Sequence, residues 1–210
     1  MVLGIVSATA VSSQAVPKLP PAVWQPVVGS GAAYTVDMKS VGRMEMEIVV
    51  TGTEMVGGKT GYWVELISRD PRVKEEGRTR MLYVGDRNSL DVKKMSTQLG
   101  TGPLTEIPLE GANSERQDAF ELLGTEPITT PAGTFVCQHY RTKRGPPAPV
   151  RTEPADSEAE ESETPPPTNV PDVEDYWLSD KVKPFGLVKV VSKDGTQMLV
   201  RLITNAQPRR

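Results

Sequence analysis

Apolar and polar residues alternate along most of this chain with a period of two, the mark of strands with one buried and one exposed face. The pattern is clearest from Arg43 to Thr51. There Met44, Met46, Ile48 and Val50 share one side, and Arg43, Glu45 and Glu47 the other. Ala33–Lys39 alternates likewise, with Tyr34, Val36 and Met38 together. Tyr62–Arg69 sets Tyr62, Val64 and Leu66 against Trp63, Glu65 and Ile67, and Arg78–Val84 makes a fourth strand. Gly57 and Gly58 separate the second and third strands, and two glycines tolerate the positive φ that a tight hairpin requires.

Further on, Ile128–Tyr140 predicts a hairpin around Pro131-Ala132-Gly133, where Pro presets φ and Gly permits a positive one. Val173–Leu178 adds a strand. Phe185–Ser192 and Thr196–Thr204 form a last hairpin across Lys193-Asp194-Gly195, an Asp-Gly turn. These segments are expected to be antiparallel neighbours. Residues 88–117 give no periodic signal, and Gly100, Gly102, Pro103 and Pro108 exclude a long helix there. Ser114–Leu123 predicts a short helix, with Ser114 as N-cap and Phe120, Leu122 and Leu123 as its apolar contacts.

The flanks and one interior segment differ in kind. Residues 1–15 are small and apolar, with Ala8-Thr9-Ala10 and Ser13-Gln14-Ala15 as cleavage patterns. They read as the remnant of an export signal whose basic part lies upstream, or else as an unstructured or strand-forming N-terminus. No run reaches the roughly 18 apolar residues of a membrane span. Residues 16–30 form a Pro-rich leader that Trp24 is placed to dock on the domain. A single β domain is expected over 31–205. Within it, residues 145–171 are rich in Pro, Glu, Ser and Thr, with too few apolar anchors to offset the entropy of ordering.

Charge sharpens this division. Arg151–Asn169 holds six acids and one base, a net −5, so a chain total of −3 leaves +2 on the remainder. A near-neutral folded part without clustered Lys and Arg argues against nucleic acid as a partner. Cys137 is the only cysteine, which excludes an internal disulfide.

The candidate chemistry is thin. Thr53–Thr60 ends like a phosphate-binding loop, but Gly is missing where Thr53 stands and a strand follows instead of a helix, so a hairpin turn is expected. Cys137 and His139 share a strand face with Phe135, but a zinc site needs three or four ligands and no second histidine or cysteine exists. A buried Cys beside a partly exposed His is expected, with no metal, no cofactor and no catalytic residue. Glu45, Glu47 and Glu65 hold the spacing of paired carboxylates, yet read as a solvated outer face. Tyr34, Met38, Met44, Met46, Ile48, Met81 and Tyr83 lie on inward faces. They fill an ordinary core or line an apolar ligand cavity.

Two segments carry a resemblance. Thr130-Pro131-Ala132-Gly133-Thr134-Phe135-Val136-Cys137 and Tyr176-Trp177-Leu178-Ser179-Asp180-Lys181-Val182-Lys183-Pro184-Phe185-Gly186-Leu187-Val188 resemble motifs of exported bacterial proteins grouped with the outer-membrane lipoprotein carrier and receptor fold. The resemblance implies a strongly curved antiparallel sheet, a half-open barrel with short helices at its mouth. The expected class is therefore mainly β: one curved antiparallel sheet with one or two short helices. The expected function is that of a non-enzymatic periplasmic or secreted protein binding a lipid or lipoprotein acyl chain on the concave side. The alternative is a structural or interaction module whose partners are other envelope proteins.

Overall fold

The computed structural model describes residues 23–73, 75–86, 89–109, 119–144 and 172–206. They form eleven strands: β1 (Gly31–Met38), β2 (Gly42–Val56), β3 (Lys59–Arg69), β4 (Glu76–Asp86), β5 (Ser89–Leu99), β6 (Thr105–Glu106), β7 (Ala119–Thr130), β8 (Gly133–Arg144), β9 (Asp172–Leu178), β10 (Leu187–Val191) and β11 (Gly195–Ile203). All belong to one antiparallel sheet, ordered β6-β5-β4-β3-β2-β1-β11-β10-β9-β8-β7. The expected class holds, without closure into a barrel. β7 comes back within 8 Å of β11 but does not pair with it.

Two runs of hairpins meet in the middle of this sheet, where β1 pairs with β2 on one side and with β11 on the other. The turns follow the expected chemistry. Gly57 and Gly58 take φ of 56° and 78° between β2 and β3, and Lys59-Thr60 opens a strand, so no phosphate loop forms. Single extra residues interrupt the ladder at Thr51, Lys93, Leu123, Val188 and Val200. Such bulges bend the strand that carries them and increase its twist, which gives a long sheet its curvature.

Two sequence expectations are corrected. Residues 119–123 are strand, not helix, because Ala119–Leu122 pairs with Lys143–Tyr140 of β8 and the ladder satisfies their backbone. Leu122 and Leu123 are exposed instead of packed, and residues 114–118 lie outside those described. No helix occurs among the described residues. The second correction is β5, in the stretch without periodic signal. Leu90 and Val92 alternate, Lys93 is the bulge, and Met95 resumes the pattern one residue late.

One apolar core joins both runs of strands. Tyr34, Ile48, Val50, Val64, Tyr83 and Leu199 supply the sheet side, and Phe135, Cys137 and Leu187 belong to the same cluster. It is completed by two irregular segments: the Ser179–Gly186 strap between β9 and β10, through Val182 and Phe185, and the end of the leader, through Val23 and Trp24. Trp24 stacks on Phe185 at 5.3 Å and meets Tyr83 at 5.4 Å and Tyr62 at 6.1 Å. Gly186 lets strap and leader cross, since a Cβ there would lie 2.7 Å from Val23 and its φ is +75°. The insert 145–171 lies outside the described residues. The residues that flank it, Arg144 and Asp172, stand opposite each other where β8 pairs with β9.

Because β11 joins the two runs of hairpins, its fully buried Leu199 is shared by both. Leu199→Ala is expected to lower unfolding free energy by about 2–5 kcal/mol, the usual range for a buried leucine. Urea denaturation followed by fluorescence and by circular dichroism should still show one coincident transition; two separated transitions would mean that the halves are independent.

Candidate functional site

Directly opposed residues of an antiparallel pair point to the same side, so the register defines the concave face. Tyr34 opposes Met46, Val36 opposes Met44, Val64 opposes Met81 and Tyr62 opposes Tyr83. All seven residues singled out in the sequence therefore share one face, but in two environments. Tyr34, Ile48 and Tyr83 are buried in the core beneath the strap and Trp24, whereas Met38, Met44, Met46 and Met81 stay partly exposed. The Tyr34 hydroxyl donates to the Leu187 carbonyl at 3.1 Å, and burial raises its pKa.

The same register continues as a partly exposed row. Leu122 opposes Tyr140, Tyr140 opposes Tyr176, Tyr176 opposes Val190, Val190 opposes Gln197, Gln197 opposes Val36, and Val36 opposes Met44. The row crosses seven strands. All its members are partly exposed except Leu122, which is 54% exposed. Six are apolar or aromatic. The seventh, Gln197, has a buried Nε2 with no acceptor. This continuation was missed because its residues come from seven strands and only strand order brings them together.

The convex face departs from the solvated surface expected. Glu45 is exposed, but Glu47 is held between Arg69 at 3.3 Å and Arg201 at 3.2 Å, and Glu65 is only 3% exposed. Long side chains provide the cover. Arg80 reaches across Glu65 at 3.4 Å with its guanidinium over the Trp63 ring.

Around His139 the sequence suggested no partners, and strand pairing supplies them. Its ring stacks on Trp177 with centroids 4.2 Å apart. Nδ1 lies 3.2 Å from Glu126 and Nε2 3.1 Å from Asp175. Arg141 donates to both Asp175 oxygens, Trp177 Nε1 donates to Glu126 at 2.6 Å, and the Lys189 ammonium sits over Trp177. The two carboxylates meet opposite edges of the ring, so these groups do not converge on a point. Among the described residues no cluster is arranged to hold a metal. Cys137 is buried as expected, and burial, with Glu126 adding to it, pushes its thiol up to about 11, the wrong direction for a nucleophile.

No family model and no curated protein matches the chain. Among solved structures it is similar to a candidate exported protein with a YmcC-like fold from Bacteroides fragilis. The identity is 11%, the alignment covers 86% of this chain and 98% of that one, and the TM-score is 0.47. It is also similar to a candidate lipoprotein from Parabacteroides distasonis at 14% identity, over 85% and 97% of the two chains, with a TM-score of 0.46. At these scores neither likeness bears on what this chain does.

Burial works to raise the Asp175 carboxyl, but hydrogen bonds from Arg141 and His139 outweigh it and hold the group below the usual carboxylate range. A carboxyl depressed in the folded state stabilises above its unfolded value of about 3.9 and loses that contribution as pH falls through the folded value. Asp175→Asn is therefore expected to flatten the acid limb of a stability-versus-pH curve below about pH 4. An unchanged acid limb in urea titrations would remove Asp175 from that role. Cys137 should resist a thiol-reactive dye until denaturant unfolds the sheet.

Proposed function

We propose that this protein is a non-enzymatic, exported envelope protein that holds an apolar or amphipathic ligand, such as a lipid or a lipoprotein acyl chain, along the partly exposed row of its concave face. The observation that carries this reading is the row itself: Leu122, Tyr140, Tyr176, Val190, Val36 and Met44 in one register across the sheet, each at least partly exposed. An apolar strip of this kind suits an acyl chain better than a compact ring. Gln197 adds direction. Its buried, unpaired Nε2 sits within the strip, and an ester or carboxylate oxygen of an amphipathic ligand would supply the missing acceptor. The core beneath the strap is the fixed end of the trough, and the partly exposed Met46 and Met81 border it. Export is supported by the small apolar stretch of residues 2–15 with its cleavage patterns.

The test is titration with an environment-sensitive fatty-acid probe. Saturable binding is expected, weakened about tenfold or more by Val190→Lys, which sets a charge in the strip. A surface change such as Asp194→Asn, in the turn before β11, should leave it unaltered. Binding that never saturates, or that ignores Val190→Lys in a folded variant, would end the reading.

A further inference from the structure

On the convex side, opposite the proposed trough, lies a pocket of about 200 Å³ between β11 and β2–β3. Its origin is local. β1 runs between these strands and over this stretch presents Gly31 and Ala33 to this side, opposite Ile203 and Arg201 on β11 and Val49 and Glu47 on β2. Small side chains in one strand leave a furrow between the larger ones on either side. A Cβ at Gly31 would meet the Ile48 carbonyl oxygen at 2.2 Å, so the furrow cannot be filled from β1 without displacing backbone. Val49, Ile67 and Ile203 give the pocket apolar walls, and Glu47, Glu65 and Arg201 line it as charged groups.

Glu65 is the unusual member. It is 97% withdrawn from solvent, yet its carboxylate accepts no hydrogen bond from any described residue. Its one close cation is Arg80 Nε at 3.4 Å, and that Nε is itself a buried group without an acceptor. Buried carboxylates are ordinarily hydrogen-bonded as well as charge-paired, because an unsatisfied one loses its hydration without replacement. Glu47 differs, being held by Arg69 and Arg201. The free acceptor capacity that lines this pocket is therefore that of Glu65.

We infer that this pocket binds a primary ammonium group carried on a short alkyl stem, with the ammonium on Glu65 and the stem against Val49, Ile67 and Ile203. An ammonium offers three donors and no acceptor, which matches a carboxylate lacking donors. The volume equals that of roughly six waters at ~30 Å³ each, enough for a stem of a few carbons. An anion of the same size would meet the Glu65 carboxylate, and the guanidinium on the pocket's rim, Arg201, is already drawn to Glu47. A metal ion would need more than these two carboxylates.

The experiment uses the full chain, isotope-labelled, titrated with n-butylammonium and followed by amide chemical shifts, with 1-butanol and butyrate as uncharged and anionic controls of the same length. Saturable shifts at Val49, Glu65 and Ile67 are expected for butylammonium alone. Glu65→Gln keeps the shape and should weaken binding about tenfold or more, the worth of a charge-assisted hydrogen bond. Nα-acetyl-lysine amide separates two sources of the same chemistry: tighter binding than butylammonium indicates a lysine side chain of a partner, equal or weaker binding a free amine. If Glu65→Gln does not fold, Ile203→Trp, which fills the furrow from its rim, must abolish the shifts in a folded protein. Butanol binding as well as butylammonium, no saturable shift at these residues, or unchanged affinity in a folded variant would each overturn the inference and leave a pocket filled with water.

Discussion

Nine of the ten strand pairings join strands that follow one another in the chain, so each needs only a turn or a local loop to form. The tenth, β1 with β11, joins the first and last strands of the chain in the middle of the sheet, and its loop-closure entropy is paid over almost the whole chain. What holds it is the close approach of two backbones. A Cβ at Gly195 would meet the Asp37 carbonyl oxygen at 2.2 Å, as one at Gly31 would meet that of Ile48 on the other side of β1. Beneath the pairing, Tyr34 opposes Leu199, both buried in the core, and the Tyr34 hydroxyl reaches on to the Leu187 carbonyl. Without this junction there would be two small sheets, each with an uncovered apolar side, and neither the strap nor the concave row would have a surface to lie on.

The same junction explains why the concave face divides into a filled and a partly exposed part. β10 is short, and the chain leaves the sheet between Leu178 and Leu187 to make the strap. Val182, Phe185 and Trp24 then pack with Tyr34, Val64 and Tyr83, whereas Val190 and Tyr176 border that cluster and stay partly exposed. The strap is fastened by few backbone bonds: Ser179 N–H donates to the Gly186 carbonyl, Gly186 N–H to that of Val182, and Gln25 N–H to that of Pro184. Most of its hold on the sheet is the burial of apolar and aromatic side chains, which is non-directional and leaves the position of the strap to shape complementarity.

Much of this was legible in the sequence, and the failures share a cause. Alternation located β1 to β4 and the C-terminal hairpins because those strands show one apolar and one polar side. Trp24 could be assigned to docking because a lone tryptophan in a Pro-rich leader has little else to do. β5 was hidden because the bulge at Lys93 shifts the period by one, and a bulge is fixed by the partner strand and not by its own residues. Residues 119–123 read as helix because local propensity knows nothing of β8. The burial of Glu65 and the carboxylates around His139 depend on residues up to 51 positions apart, as with Trp177 and Glu126, and no spacing within one strand announces them. The seven residues singled out in the sequence lie on strands whose alternation is visible locally, whereas the row continuing past them required the order of strands that β1–β11 pairing establishes.

One short stretch, Met44 to Val50, serves both surfaces at once. Met44, Met46, Ile48 and Val50 face the trough and core, while Glu45, Glu47 and Val49 face the convex side, where Glu47 and Val49 enter the second pocket. A slip of one residue in its pairing would carry the carboxylates into the core and the methionines into water. Such a register resists drift because both errors cost at the same moment: buried charge without partners on one side, lost apolar burial on the other. The charged ladder of the convex face, Glu47 with Arg69 and Arg201 and Glu65 with Arg80, thus serves to fix register more than to add stability. Any binding on either face then acts on a strand whose alignment the opposite face already fixes.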